Sequence, residues 1–224
     1  MPATSTQIQQ DFDRLADLEG DGWSHNNHYH AFLLKQLPER SELDALEIGC
    51  GTGAFARLLA GRFRRVLALD LSPRMIEVAK ERSRDFPNIE FQVADVMTYP
   101  LPVKQFGCVA SIATLHHLPF EAVIAKIKPA LAPRGRLLVL DLYQAESVGD
   151  FATSAVAVPV NFVLKWLKNG RVREAPEVRA AWEAHGRTDV YPTLAQVRGD
   201  CARLLPHARV KRHLLFRYSV VWDA

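Results

Sequence analysis

From residue 43 onward the chain alternates short apolar runs with longer amphipathic stretches. The apolar runs fall at 43–48, 66–69, 89–93, 106–112 and 136–142, and each has the length of a strand. Between them, 53–62, 73–84 and 120–131 carry apolar residues at helical spacing. Ser72 followed by Pro73 is a strong helix start, because the hydroxyl can cap the first turn and proline fits its first position. Strands alternating with helices of this length predict βαβ units and a parallel sheet.

The flanks read differently. Residues 1–40 are polar and helical in pattern, with Ala31, Leu34 and Leu37 at helical spacing and Pro38 as a stop. After Tyr143 the rhythm breaks, and 145–192 form an insert with helices expected at 151–167 and 176–184. Over 193–205, Leu194, Val197, Cys201 and Leu204 step by three, four and three, and Thr193 with Gln196 fits a capping box. Residues 208–222 read as two strands meeting near Phe216 and Arg217. The expected organisation is one domain over 1–224. It comprises an N-terminal helical cap at 1–40, a core at 43–143, a helical lid insert at 145–192, and a last helix and hairpin at 193–224.

Composition changes this picture little. Apolar residues make up 48% and charged residues 24% of the 224, as in an ordinary globular protein. The net charge of +3 is too small to argue for a nucleic-acid partner. Cys50, Cys108 and Cys201 are odd in number and far apart, which supports neither a disulfide framework nor a zinc knuckle. No secretory pattern opens the sequence, and the apolar stretch 154–164 is short and broken by Pro159 and Asn161. A cytoplasmic protein without a membrane span is expected. The 155–164 stretch could serve a dimer if the lid leaves it uncovered, so monomer and homodimer both stay open.

The chemistry concentrates in ALEIGCGTGAF, residues 45–55. An apolar strand runs into Gly49, Gly51 and Gly53, and a helix follows directly. At the carboxyl end of a strand this is where doubly wound sheets hold nucleotides. Gly49, Gly51 and Ala54, with Asp70 about 20 residues on, also satisfy a loose dinucleotide fingerprint. Glu47 inside the strand, the third glycine, and Asp95 after the third strand separate the two readings.

These residues resemble the class I S-adenosylmethionine-dependent methyltransferases, and within them the small-molecule branch similar to ubiquinone/menaquinone methyltransferases. The resemblance is strong over 43–143 and implies an α/β fold: a Rossmann-like, doubly wound, seven-stranded sheet closed by a C-terminal antiparallel hairpin. It implies S-adenosyl-L-methionine as cofactor and S-adenosyl-L-homocysteine as product. By resemblance, Glu47, Gly49, Cys50, Gly51 and Gly53 wrap the methionine part, and Asp70 takes both ribose hydroxyls. Asp95 and Val96 read the adenine edge, Leu71 and Met75 sandwich the ring, and Ala113 and Tyr29 complete the cofactor site.

For transfer itself, His116 and His117 at the end of the fourth strand are the general-base candidates, since histidine titrates near neutrality. Trp23 and His28 in the N-terminal patch, and Trp166, Trp182, His185 and Tyr191 in the lid, are candidates to line the acceptor space. His25, His28 and His30 lack a Cys or carboxylate neighbour, so no metal is expected. The nucleic-acid methyltransferase tetrapeptides are missing after the fourth strand. No phosphate loop, H-E-x-x-H or G-x-S-x-G is present, although Ser147 in AESVG comes near the last. A small-molecule acceptor methylated on oxygen or nitrogen is expected. The alternatives are a nicotinamide-dependent oxidoreductase and a catalytically silent cofactor-binding partner or sensor.

Overall fold

The computed structural model describes residues 4–18, 22–170, 175–187 and 189–224. Its strands are β1 (Asp44–Ile48), β2 (Val66–Asp70), β3 (Ile89–Val93), β4 (Phe106–Ile112), β5 (Leu131–Leu142), β6 (Arg209–Arg212) and β7 (Arg217–Asp223). They form one seven-stranded sheet in the order β3-β2-β1-β4-β5-β7-β6. The first five are parallel, while β7 runs antiparallel to both β5 and β6. Strand order reverses between β1 and β4, which makes the carboxyl ends of these two strands the switch point.

Every residue of β1 is buried, as expected of a central parallel strand covered on both faces. Alternation sends Leu46 and Ile48 into one core and Ala45 into the other. The first core packs α5 (Phe120–Ile127) and α8 (Leu194–Leu204) through Val123, Ile124, Ile127, Leu194, Val197 and Cys201. The second packs α2 (His30–Leu34), α3 (Ala54–Ala60) and α4 (Pro73–Arg82) through Leu33, Phe55, Leu59 and Ile76. Each such side chain contributes about 1.5–3 kcal/mol when fully buried.

The capping signals act as expected. Ser72 Oγ accepts the Met75 N–H at 3.0 Å, and Thr193 and Gln196 bond reciprocally. Other boundaries move. β5 begins at Leu131 because a register shift opposite Phe106 and Cys108 absorbs the turn-like residues before Arg136. α5 stops at Ile127, and a short 3-10 turn, Lys128–Ala130, follows around Pro129, which has no N–H to donate. Near the N-terminus the buried side chains are Tyr29, Leu33 and Leu37, while Ala31 is exposed. Leu37 of the expected set is buried and Leu34 packs partly buried on the same core, while Tyr29 and Leu33 take the place of Ala31.

The cap and lid cover the carboxyl edge of the sheet. α1 (Ser5–Leu18) buries Leu15 and Ala16 in a small cluster with Met75 of α4 and Ala181 of α7 (Pro176–Gly186). The lid helix α6 (Val148–Asn169) continues through Pro159. It starts ahead of the expected residue 151 because Ser147 and Asp150 form a capping box, so Ser147 is a helix cap. Its outer face leaves Phe151, Val156, Phe162, Val163, Trp166 and Leu167 exposed. Among the described residues no helix is long and apolar enough to cross a membrane.

Candidate active site

The loop after β1 is drawn tight against its neighbours. The N–H groups of Gly49 and Cys50 both donate to the Leu69 carbonyl, at 2.8 and 3.0 Å. Gly49 has φ +70°, and a Cβ there would lie 2.1 Å from Thr114 Oγ1, so the end of β4 leaves no room for a side chain. Gly51 is the opposite case. Its φ is +50°, yet an added Cβ would meet nothing within 4 Å. The backbone at Gly51 therefore faces open space, where a ligand can approach the main chain.

Two acids stand behind this loop. Asp70 accepts the Gly51 N–H on Oδ2 at 2.8 Å and the Ser72 N–H on Oδ1 at 2.9 Å, which ties the glycine loop to the start of α4. Burial raises its pKa, and the backbone donors oppose that rise. Glu47 is 2% exposed, and its Oε2 is buried without a hydrogen-bond partner. Burial, and then the charge of Asp70, push the Glu47 carboxyl well above the usual range. A buried carboxyl with one oxygen unpartnered, beside an open glycine backbone, fits a ligand carrying an ammonium group near its point of entry.

The other cofactor candidates divide. Asp95 spends Oδ1 on the Met97 N–H at 2.8 Å and is half-buried, beside the buried Val96. Leu71 is half-buried, and Ala113, at φ +50°, donates its N–H to the Leu140 carbonyl. Met75 is 2% exposed and packs under α1, so its side chain is core in this structure, not a free wall for a ring. The Tyr29 hydroxyl donates to the Leu214 carbonyl at 2.5 Å, holding the turn between β6 and β7. Burial pushes that phenol up to about 12. The Cys50 thiol is also buried, which raises its pKa.

Beyond the loop lies a buried constellation drawn from the loop after β4, from β5, from the lid and from α1. His116 places Nδ1 at 2.6 Å from Asp141 Oδ1, and its backbone N–H donates to Asp141 Oδ2 at 3.0 Å. His185 Nδ1 meets Asp11 Oδ2 at 3.1 Å. Asp189 sits among these rings, with Oδ2 at 3.4 Å from His185 Nε2 and 4.0 Å from His116 Nε2. Its Oδ1 is 3.7 Å from His117 Nδ1. The Tyr191 hydroxyl donates to Asp189 Oδ2 at 2.8 Å. Burial, followed by the neighbouring His116, lowers the His117 pKa to about 4.

The N-terminal aromatic patch braces the lid. Trp23 donates its N–H to Asn169 Oδ1 at 2.8 Å and accepts from Asn169 Nδ2 at 3.0 Å. His25 Nε2 lies 2.7 Å from Asn161 Oδ1. His28 packs edge-on to Trp23 and Tyr29, and His30 packs on Phe55, so these rings diverge. Trp166 is 62% exposed on the outer side of α6 and lines no enclosed space. Trp182 is exposed and meets the edge of Phe12, which also meets His117 and His185.

The base candidates His116 and His117 and the lining candidates His185 and Tyr191 thus come together, whereas sequence reasoning misses their carboxylates, Asp141, Asp189 and Asp11. Only the i, i+4 pair His185 and Asp189 carried a local signal. Arg217, near the hairpin turn, is also functional in the architecture: its Nε donates to Asn26 Oδ1 at 2.9 Å and anchors the cap.

Comparison with known proteins bears on the family and the fold. The sequence profile of a methyltransferase domain family matches residues 46–139. An uncharacterized methyltransferase of Mycobacterium tuberculosis is 31% identical over 206 residues, covering 90% of this chain and 97% of that protein. The 27-O-demethylrifamycin SV methyltransferase of Amycolatopsis mediterranei is 28% identical over 177 residues, covering 69% of this chain and 65% of that one. Among solved structures, the DhpI–SAM–HEP complex superposes with a TM-score of 0.65 at 22% identity, covering 96% of this chain and 95% of that one.

Proposed function

The chain belongs to the class I S-adenosylmethionine-dependent methyltransferases, and on that premise we propose that it methylates an oxygen or nitrogen atom of a small-molecule acceptor. S-adenosylmethionine is the cofactor, and its sulfonium supplies the reactive methyl group. The chain's own part is to hold that group, align the acceptor and remove a proton where one must leave.

The glycine backbone at 49–53 would hold the methionine part, with the free Oε2 of Glu47 toward its ammonium group. The two Asp70 oxygens, fixed by Gly51 and Ser72, keep lone pairs for the ribose hydroxyls. The second oxygen of Asp95 would accept from the adenine amino group, with Leu71 and the Val96 backbone beside the ring.

The observation that carries the acceptor reading is the His116–Asp141 pair. An ionised carboxylate can only accept, so His116 donates from Nδ1 and keeps Nε2 as the basic nitrogen. A positioned base of this kind serves a hydroxyl more than an amine, which favours oxygen. His117, whose burial opposes protonation, is the weaker base and is placed to line the space. The enclosure of these groups by α1 and the lid supports a small acceptor over a polymer. The relative that methylates a rifamycin precursor, by its name, supports the same class. Three free, buried cysteines support a reducing compartment such as the cytoplasm. The four segments from cap to hairpin would work as one domain.

Incubation with labelled S-adenosylmethionine and a panel of hydroxylated and amine metabolites tests this reading. Label in a hydroxylated product supports it. Calorimetry with S-adenosylhomocysteine and with NAD is the companion measurement, and turnover absent across the panel despite tight S-adenosylhomocysteine binding would favour a silent sensor.

A further inference from the structure

We propose that His116, His117 and Asp189 form a binding site for one divalent first-row metal ion of the zinc class. The inference adds to the methyl-transfer reading and rests on it for purpose, though not for its test. One ligand atom from each of the three residues lies within 4.8 Å of the others. All three side chains are at most 8% exposed.

The spacing argues for an ion. His116 Nε2 and His117 Nδ1 stand 4.0 and 3.7 Å from the Asp189 oxygens, too far for hydrogen bonds. A water bridging either gap at about 2.8 Å to each side would have to close its angle to about 90°, tighter than its tetrahedral preference. A cation with bonds of about 2.0–2.2 Å to nitrogen and oxygen spaces its ligands by little more than 3 Å, which the observed separations approach. One ligand atom of the cluster, Asp189 Oδ1, is buried without any hydrogen-bond partner. Asp189 Oδ1 is the oxygen that faces His117 Nδ1.

The outer contacts have the form that metal sites require. Asp141 holds His116 Nδ1, so that Nε2 is the nitrogen left for the centre. Tyr191 fixes Asp189 through Oδ2. His185, held on Nδ1 by Asp11, directs Nε2 to the same carboxylate at 3.4 Å. Two imidazoles and one carboxylate, with no thiolate among them, suit Zn²⁺ and its neighbours in the first row over Ca²⁺ or Mg²⁺. A bound ion would occupy His116 Nε2, so the base role proposed above would hold only for the metal-free chain.

The test uses the full chain stripped with a chelator and titrated with Zn²⁺, and separately with Co²⁺ as a spectroscopic probe. The expected result is one equivalent of either ion and visible Co²⁺ bands of a low-coordinate nitrogen and oxygen site. Asp189→Asn and His117→Ala should each weaken uptake by about tenfold or more, with S-adenosylhomocysteine affinity kept as proof of fold. No stoichiometric uptake by the unaltered chain, or equal uptake by both variants, overturns the site. Because uptake is read without turnover, metal binding can fail while methyl transfer stands, and the reverse.

Discussion

Asp141 grips His116 twice, accepting the ring Nδ1–H at 2.6 Å on one oxygen and the backbone N–H at 3.0 Å on the other. The carboxylate belongs to β5 and the histidine to the loop after β4, adjacent parallel strands, so the sheet itself sets the ring's direction. Asp141→Asn should leave S-adenosylhomocysteine affinity within about twofold and lower kcat by about 10²-fold or more. Steady-state rates from pH 5.5 to 9 read this, and an unchanged profile would remove the pair from proton transfer.

Asp70→Asn is expected to weaken cofactor binding by about 2–3 kcal/mol, through loss of charge-assisted acceptance. The carboxylate also holds Gly51 and Ser72, so a modest fall in melting temperature should accompany it. Calorimetry with S-adenosylhomocysteine separates the two effects. Full affinity in the folded variant would exclude Asp70 from the site.

The glycines should part company on substitution. Gly49→Ala drives a methyl group against Thr114 and is expected to cost several kcal/mol of stability. Gly51→Ala costs only the left-handed backbone, about 1–2 kcal/mol, and should fold while losing cofactor affinity. Urea melts alongside binding isotherms give the contrast. Equal stability of the two variants would contradict the packing described.

Asn169 fastens the lid by its two bonds to the Trp23 backbone. Asn169→Ala should raise the acceptor KM several-fold and leave S-adenosylmethionine binding intact, because Asn169 bonds to the Trp23 backbone and to none of the proposed cofactor residues. Parallel loss of both would mean that the lid supports the fold as a whole.

Stability should fall on mild acidification. Burial lowers His30 and His213 from 6.5 to about 4. The unfolded chain therefore takes up these protons first, and stability is complete above pH 6.5 and declines as pH falls toward 4. Urea midpoints at pH 7, 6 and 5 should decrease in that order, and His30→Leu should flatten the trend.

The sequence by itself determined the features whose causes lie within a few residues. The alternation of β1 to β5 with helices, the caps at Ser72 and Thr193, and the glycine loop running into α3 all follow from local spacing and backbone chemistry. So do the positions of Asp70 and Asp95 at strand ends, because strand length fixes where a parallel strand meets its loop. The tertiary structure alone decided which side chains share a space. Periodicity marked Met75 and Trp166 equally as apolar helix residues, but docking of α1 buried one and left the other on the outer face of α6. The histidine and aspartate cluster joins residues as far apart as Asp11 and His185, 174 positions along the chain. Such contacts depend on how cap, lid and sheet edge pack against one another, and a linear pattern carries no term for that packing.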